Sequence, residues 1–171
     1  RPIYDGVLQQ LGEMFEALRV GPAAMDLDVG PLIRQRQQQR VWDFLSDAHA
    51  DGIAMVAQGQ IVDEAPEGGF YQAPTLLCDV PANHRLMHEE IFGPVLCAMS
   101  FDDEEHALAL VNTAPFGPAT GLWSRDGALQ LRLARRVKSA QVFIHHYAAG
   151  TDPGGEPDRP RAVHSIKSAN S

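Results

Sequence analysis

The chain is predicted to be an α/β protein with a parallel sheet flanked by helices, and three observations predict it. The second half alternates strand, helix, strand, helix, strand, the order that parallel crossover connections produce. Its strand segments, such as Val95 to Phe101, are largely continuous apolar runs, as expected where both faces of a sheet are covered. The first segment instead has a helical period, with Tyr4, Val7, Leu8, Leu11, Phe15 and Leu18 recurring at three- and four-residue spacing.

Taken in order, Ile3 to Leu18 reads as an amphipathic helix that Gly21-Pro22 ends. Ala23 to Gly30 is a loop. A second helix is expected to start near Pro31, because the first helical turn tolerates the missing N–H. Val41, Phe44, Leu45 and Ala48 mark its buried face, and Arg34 to Arg40, nearly all Gln and Arg, reads as a solvated one. Ile53 to Ala57 and Phe70 to Cys78 are strands, the latter confined in part to an irregular position by Pro74. Val95 to Phe101 is a buried strand. A helix then runs from Asp102 to about Asn112, with Asp102 and Glu105 as its capping box. Thr120 to Ser124 is a strand, Asp126 caps a helix ending near Val137, and Gln141 to His146 is the last strand. Residues 148–171 hold Gly, Pro, Asp, Arg and Ser but almost no large apolar side chain, so they are expected to form a flexible tail beside a domain spanning 1–147.

Composition narrows the function. The 171 residues are 44% hydrophobic and 21% charged, an ordinary globular make-up. Asp plus Glu number 22 against 14 Lys plus Arg, a formal charge of -8, which argues against a nucleic-acid partner. No apolar run is long enough to span a membrane. Two cysteines exclude a disulfide framework and suit a reducing, cytoplasmic setting. The chain opens with Arg1 rather than Met, so a processed product or a fragment is expected.

The most informative stretch is Glu89-Glu90-Ile91-Phe92-Gly93-Pro94-Val95. A carboxylate can accept both hydroxyls of a ribose, and a nearby ring can stack on a planar base. An acidic turn followed by a core Phe is the competing structural reading.

This stretch resembles the signature of the aldehyde dehydrogenase superfamily. Other segments agree in the same order: Ile3-Tyr4-Asp5, Val20-Gly21-Pro22, Gly30-Pro31-Leu32-Ile33, Pro74-Thr75-Leu76, Asp79-Val80, Phe101-Asp102-Asp103, Asn112-Thr113, Phe116-Gly117, Trp123-Ser124-Arg125-Asp126 and Val142-Phe143-Ile144. The resemblance covers residues 1 to about 147 and implies part of a catalytic domain of that fold. It implies NAD- or NADP-dependent oxidation of an aldehyde through a cysteine thiolate, with a glutamate activating water to cleave the thioester. It also implies that Glu90 holds the nicotinamide ribose and that Phe92 packs beside the nicotinamide ring. The resemblance further implies a small-molecule aldehyde as substrate and a homo-oligomer for the full-length protein.

The departures matter equally. The family's nucleophile would lie about ten residues before Arg1. Cys78 and Cys97 sit in apolar strand runs and read as buried core, so no catalytic residue is expected within this chain. His145 stands where Asn is usual, Pro118 where an apolar strand residue is, and the family's terminal loop and subunit-pairing strand are not recognisable beyond Tyr147. His84 and His88, four apart, lack an evident third ligand, so no metal is expected. His145 and His146 would face opposite ways on a strand, and His49, His106 and His164 read as surface residues. The alternative function is a catalytically inactive relic that acts as an interaction module through exposed sheet edges.

Overall fold

The computed structural model of the chain describes residues 3–114 and 119–145. The expectations for Pro118, His146, His164 and a separate segment 148–171 lie outside these residues. The chain divides into two compact units, one through Asp102 and one from Asp103 onward. The mixed α/β architecture with parallel strand pairs and flanking helices is the predicted class.

In the first unit, helix α1 spans Tyr4–Ala17. Tyr4 anchors its start, donating its hydroxyl to Asp79 Oδ1 at 3.2 Å and to the Ala98 carbonyl at 3.2 Å. The helix stops before Gly21, at an extended Leu18, because the next residues form a two-residue strand β1, Arg19–Val20. After a single 3-10 turn at Ala23–Met25, helix α2 runs Gln35–Ala50. It starts four residues later than Pro31 suggested. The Leu32 N–H donates to the Phe70 carbonyl at 2.8 Å, which keeps the approach extended, and Arg34 caps the helix with backbone alone.

Strand β2 is Ala54–Gln58, β3 is Gln60–Ile61, β4 is Thr75–Cys78 and β5 is Val95–Ala98. The order is β2-β4-β5; β4 and β5 are parallel, with Thr75 opposite Val95 and Cys78 opposite Ala98. β2 joins antiparallel to β4, so this sheet is mixed rather than wholly parallel. β1 and β3 form a separate parallel pair.

The strand expected over Phe70 to Cys78 is pleated only from Thr75. Pro74 has no N–H to give a ladder, and the carbonyls before it are already engaged. Phe70 accepts from Leu32, Tyr71 from the Gln38 side chain, and Pro74 from the Gly59 N–H. The core of this unit gathers Phe44 and Ala48 of α2, Leu77 of β4, and Val80 and Leu86, with Ile91, Val95 and Cys97 packed around them. Phe44 is fully buried; truncating such a ring to Ala costs about 3–5 kcal/mol.

In the second unit, α3 spans Glu104–Thr113, β6 Ala119–Leu122, α4 Gly127–Ala134 and β7 Gln141–Ile144. The α3 cap is Asp103, one residue later than expected: its side chain accepts from the His106 N–H. Asp126 caps α4 as expected, accepting from the Ala128 and Leu129 N–H groups. β6 and β7 are parallel, over a core of Leu108, Ala134, Val137 and Val142. Arg132 of α4 grips Glu104 of α3, and Arg136, two residues past the end of α4, grips Glu105. β7 ends before His145, whose φ of 55° turns the backbone left-handed. The buried Gln130 amide, 2.6 Å from His145 Nε2, also donates to the Ser124 carbonyl.

Candidate functional site

The loop Glu89 to Pro94 lies against α2, and α2 holds it from the side expected to face only solvent. Gln37 Nε2 donates to the carbonyls of Ile91 at 2.9 Å and Phe92 at 2.7 Å. Arg40 donates Nε at 3.2 Å and Nη2 at 2.7 Å to the Glu90 carbonyl. The Gln and Arg run at 34–40 is therefore in part a clamp, with Gln37 and Arg40 one turn apart. Its signal in the sequence, long amide and guanidinium side chains at three-residue spacing, does not say which carbonyls they reach.

Below the loop, Arg85 and Arg40 place their guanidiniums over the Phe44 ring, at 4.0 and 5.0 Å from its centroid. Arg85 reaches Asp47 and Glu89, and its charged form is favoured chiefly by the Asp47 hydrogen bond. Arg40 Nη2 is also 3.7 Å from Glu89. His84 starts the short turn Arg85–Met87 by accepting the Leu86 N–H at Nδ1, while its Nε2 meets Asp51 at 3.1 Å. His88 Nε2 meets the Ala82 carbonyl at 2.9 Å. Both histidines are thus engaged in local structure, and no group of three His, Cys, Asp or Glu side chains gathers at a metal-holding distance among the described residues.

This arrangement separates the two glutamates. Glu89 is paired with Arg85 and Arg40 and serves the scaffold. Glu90 is exposed, and among the described residues its carboxylate makes no hydrogen bond or ion pair. Phe92 is not a core residue either. The residue is 64% exposed and its φ is 57°, a left-handed conformation that costs a non-glycine residue about 1–2 kcal/mol. Such strain persists only where surrounding bonds over-determine it, here the Gln37 and Arg40 clamp. Gly93 completes the turn by lying on α2: a Cβ there would stand 2.3 Å from Val41 Cγ2. An open cleft of about 730 Å³ adjoins the loop, lined by Phe92 together with Arg34, Arg36, Arg40 and Arg85.

Neither cysteine is among the residues lining this cleft. Cys78 is buried and Cys97 half-buried, less enclosed than expected. Burial raises both thiols above their ordinary value, Cys97 to about 11, which suppresses the thiolate. No helix among the described residues is long and apolar enough to cross a membrane.

Comparison with known proteins places these features in context. A family model described as the aldehyde dehydrogenase family matches residues 1–156. An aldehyde dehydrogenase from Didymella fabae is 36% identical over 87% of this chain and 31% of its own length. Betaine aldehyde dehydrogenase 1 from Rhizobium meliloti is 32% identical over 86% of this chain and 30% of its own. The chain thus spans about 30% of the curated relatives it matches. Among solved structures, a protein from Burkholderia cenocepacia provisionally named an aldehyde dehydrogenase superposes with a TM-score of 0.87 at 60% identity, covering 88% of this chain and 32% of that one. An NAD+ complex of an aldehyde dehydrogenase from Bacillus cereus superposes at 0.76 with 29% identity, over 84% of this chain and 29% of that one.

Proposed function

The chain belongs to the aldehyde dehydrogenase family, and on that premise we propose that it supplies the nicotinamide-binding edge of an enzyme that oxidises an aldehyde to a carboxylic acid with NAD or NADP. The carrying observation is the difference between Glu89 and Glu90. A scaffold that neutralises the first carboxylate with two arginines and leaves the next one free has kept an acceptor for something outside itself.

The residues fit a nicotinamide nucleotide. The free Glu90 carboxylate suits the two hydroxyls of a ribose, each such charge-assisted bond being worth about 1.5–3 kcal/mol. The exposed Phe92 ring offers an apolar face of the right size for a planar pyridine. When bound, the cofactor supplies a hydride acceptor. Glu90 orients the ribose, Phe92 limits how far the ring can tilt, and Gln37 and Arg40 keep both residues in register. A misplacement of about 1 Å can cost about 100-fold in rate, so a clamped loop is worth its strained residue.

The thiolate and the water-activating glutamate of this chemistry come from outside these 171 residues in this proposal, because both cysteines here are suppressed as nucleophiles. The chain by itself is therefore expected to form no NADH from NAD and an aldehyde. NADH formation by the purified chain would overturn that part.

The site assignment is tested by titrating NADH and NADPH into the protein expressed from its natural reading frame. Glu90→Gln keeps the shape and removes the charge. It is expected to weaken binding about 10- to 100-fold, about one charge-assisted bond's worth, because the amide oxygen still accepts one ribose hydroxyl without the charge. Unchanged affinity for both nucleotides would remove Glu90 from the site.

A further inference from the structure

We propose that Arg85 is a positioning residue for the nucleotide site: by engaging Glu89 it leaves Arg40 to the loop backbone, and so it holds in place the peptide that carries the Glu90 carboxylate. The assignment rests on the nicotinamide-side reading of Glu90.

One donor here has two claimants. Arg40 Nη2 is 2.7 Å from the Glu90 carbonyl and 3.7 Å from Glu89 Oε2. Its Nε also donates to the Glu90 carbonyl, at 3.2 Å. The two acceptors are unequal. A carboxylate takes a guanidinium in a charge-assisted pair, roughly twice as strong as a bond between neutral groups, and accepts it with two oxygens. An unpaired Glu89 would therefore draw Arg40 away from the loop backbone. The structure has the reverse order: the short bonds go to the carbonyl and the long contact to the carboxylate.

Arg85 accounts for that order. Its Nε lies 3.3 Å from Glu89 Oε1 and its Nη2 3.4 Å from Glu89 Oε2, so both oxygens of Glu89 face one guanidinium. The Nε is shut off from solvent, so water does not stand in for Glu89 there. The Glu89 N–H donates to the Arg85 carbonyl at 2.9 Å, which sets the two residues one helical turn apart.

The Arg85 guanidinium is itself fixed. It lies 4.0 Å from the centroid of the fully buried Phe44 ring, and its Nη1 pairs with Asp47. Arg40, Phe44 and Asp47 are four and three residues apart on α2, so one helix face supplies the contested donor, the platform and the anchor. A planar guanidinium stacks on the ring and still offers its edge to carboxylates, whereas an ammonium offers a point charge.

The test uses the protein expressed from its natural reading frame. The variants are Arg85→Gln, Arg85→Lys, Glu89→Gln, Arg85→Gln/Glu89→Gln and Glu90→Gln, with thermal unfolding as the control for folding. Affinity for NADH is read by isothermal titration. In nucleotide-free protein, the rate at which a Glu-specific protease cuts after Glu90 reads release of the loop. Arg85→Gln is expected to weaken NADH about tenfold, the low end for one charge-assisted bond, and to speed cleavage by a similar factor. Arg85→Lys should fall between it and the wild type. Glu89→Gln alone should change neither reading much. In the double variant it should bring both back to within about threefold of the wild type, because the competitor for Arg40 is gone.

That suppression is what a role confined to packing on Phe44 and Asp47 would not produce. Equal losses with and without Glu89→Gln would overturn the proposal, as would unchanged affinity and cleavage in Arg85→Gln. If Arg85→Gln fails to fold, Arg85→Lys with and without Glu89→Gln carries the same comparison. If Glu90→Gln binds NADH like the wild type, or the wild type binds none, the ribose reading falls; the cleavage rates then decide alone whether Arg85 holds the loop.

Discussion

Replacing Phe92 by Ala and by Gly separates backbone strain from function at one position. The residue is 64% exposed, so only about a third of the 150–250 Å² that a buried aromatic hides is at stake, roughly 50–90 Å². At about 25 cal/mol per Å² this is at most about 1–2 kcal/mol of lost burial for either variant. The two variants then differ only in backbone. Ala retains a left-handed φ near 57°, at a cost of about 1–2 kcal/mol, whereas Gly adopts it freely. Against that, Gly loses about 0.5–1 kcal/mol more chain entropy than Ala on folding. The net expectation is that Phe92→Gly is more stable than Phe92→Ala by about 0.5–1 kcal/mol. At a position with ordinary negative φ the order is reversed by a similar amount. Urea unfolding of the three proteins reads the sign directly. Nucleotide affinity should fall in both variants, because both lose the ring. A Gly variant less stable than the Ala variant would show that residue 92 is not left-handed in solution, and the exposed placement of the ring would go with it. A loss beyond about 3 kcal/mol in both would show a buried ring instead.

Two further outcomes follow from the same loop and its neighbouring strand. Gly93→Ala drives a Cβ to 2.3 Å from Val41 Cγ2 and is expected to cost about 1–3 kcal/mol by overpacking; adding Val41→Ala should recover much of it, and purely additive losses in the double-variant cycle would reject the contact. Cys97, its thiol raised to about 11 by burial, should react slowly with a thiol reagent at neutral pH and faster as pH climbs toward that value; because the folded state favours the protonated thiol, its contribution to stability is lost as pH rises beyond the ordinary thiol value, and rapid labelling of the folded protein at neutral pH would contradict the burial.

What was legible in the sequence, and what was not, follows the range of the interactions. Periodicity found α1 and α2, because an amphipathic stripe is written at three- and four-residue spacing, and capping residues found α3 and α4. Local capping chemistry placed Asp126 correctly and missed Asp103 by one residue, since two adjacent aspartates compete for one cap. The two-residue strands β1 and β3 had no local signal at all. They exist because the Leu18 and Val20 carbonyls find the Gln60 and Val62 N–H groups some forty residues away. The shortened β4 and the late start of α2 share one cause of the same kind, the Leu32 to Phe70 hydrogen bond, which no window of local sequence contains.

The loop shows the same limit with a functional consequence. Its residue types pointed to a ribose acceptor and a ring, and the resemblance singled out the second glutamate. What distinguishes the two carboxylates in the structure is tertiary. Arg85 and Arg40 converge on Glu89 from the turn before it and from α2, while Arg40 reaches only the backbone of Glu90. A polar run that reads as solvated by composition thus decides which carboxylate stays available. Within that helix, Gln37 and Arg40 hold the loop at fixed geometry. Shifting Gln37 or Arg40 by one position would turn the donors away from the loop carbonyls. The left-handed Phe92 would then have nothing to hold it against its own strain.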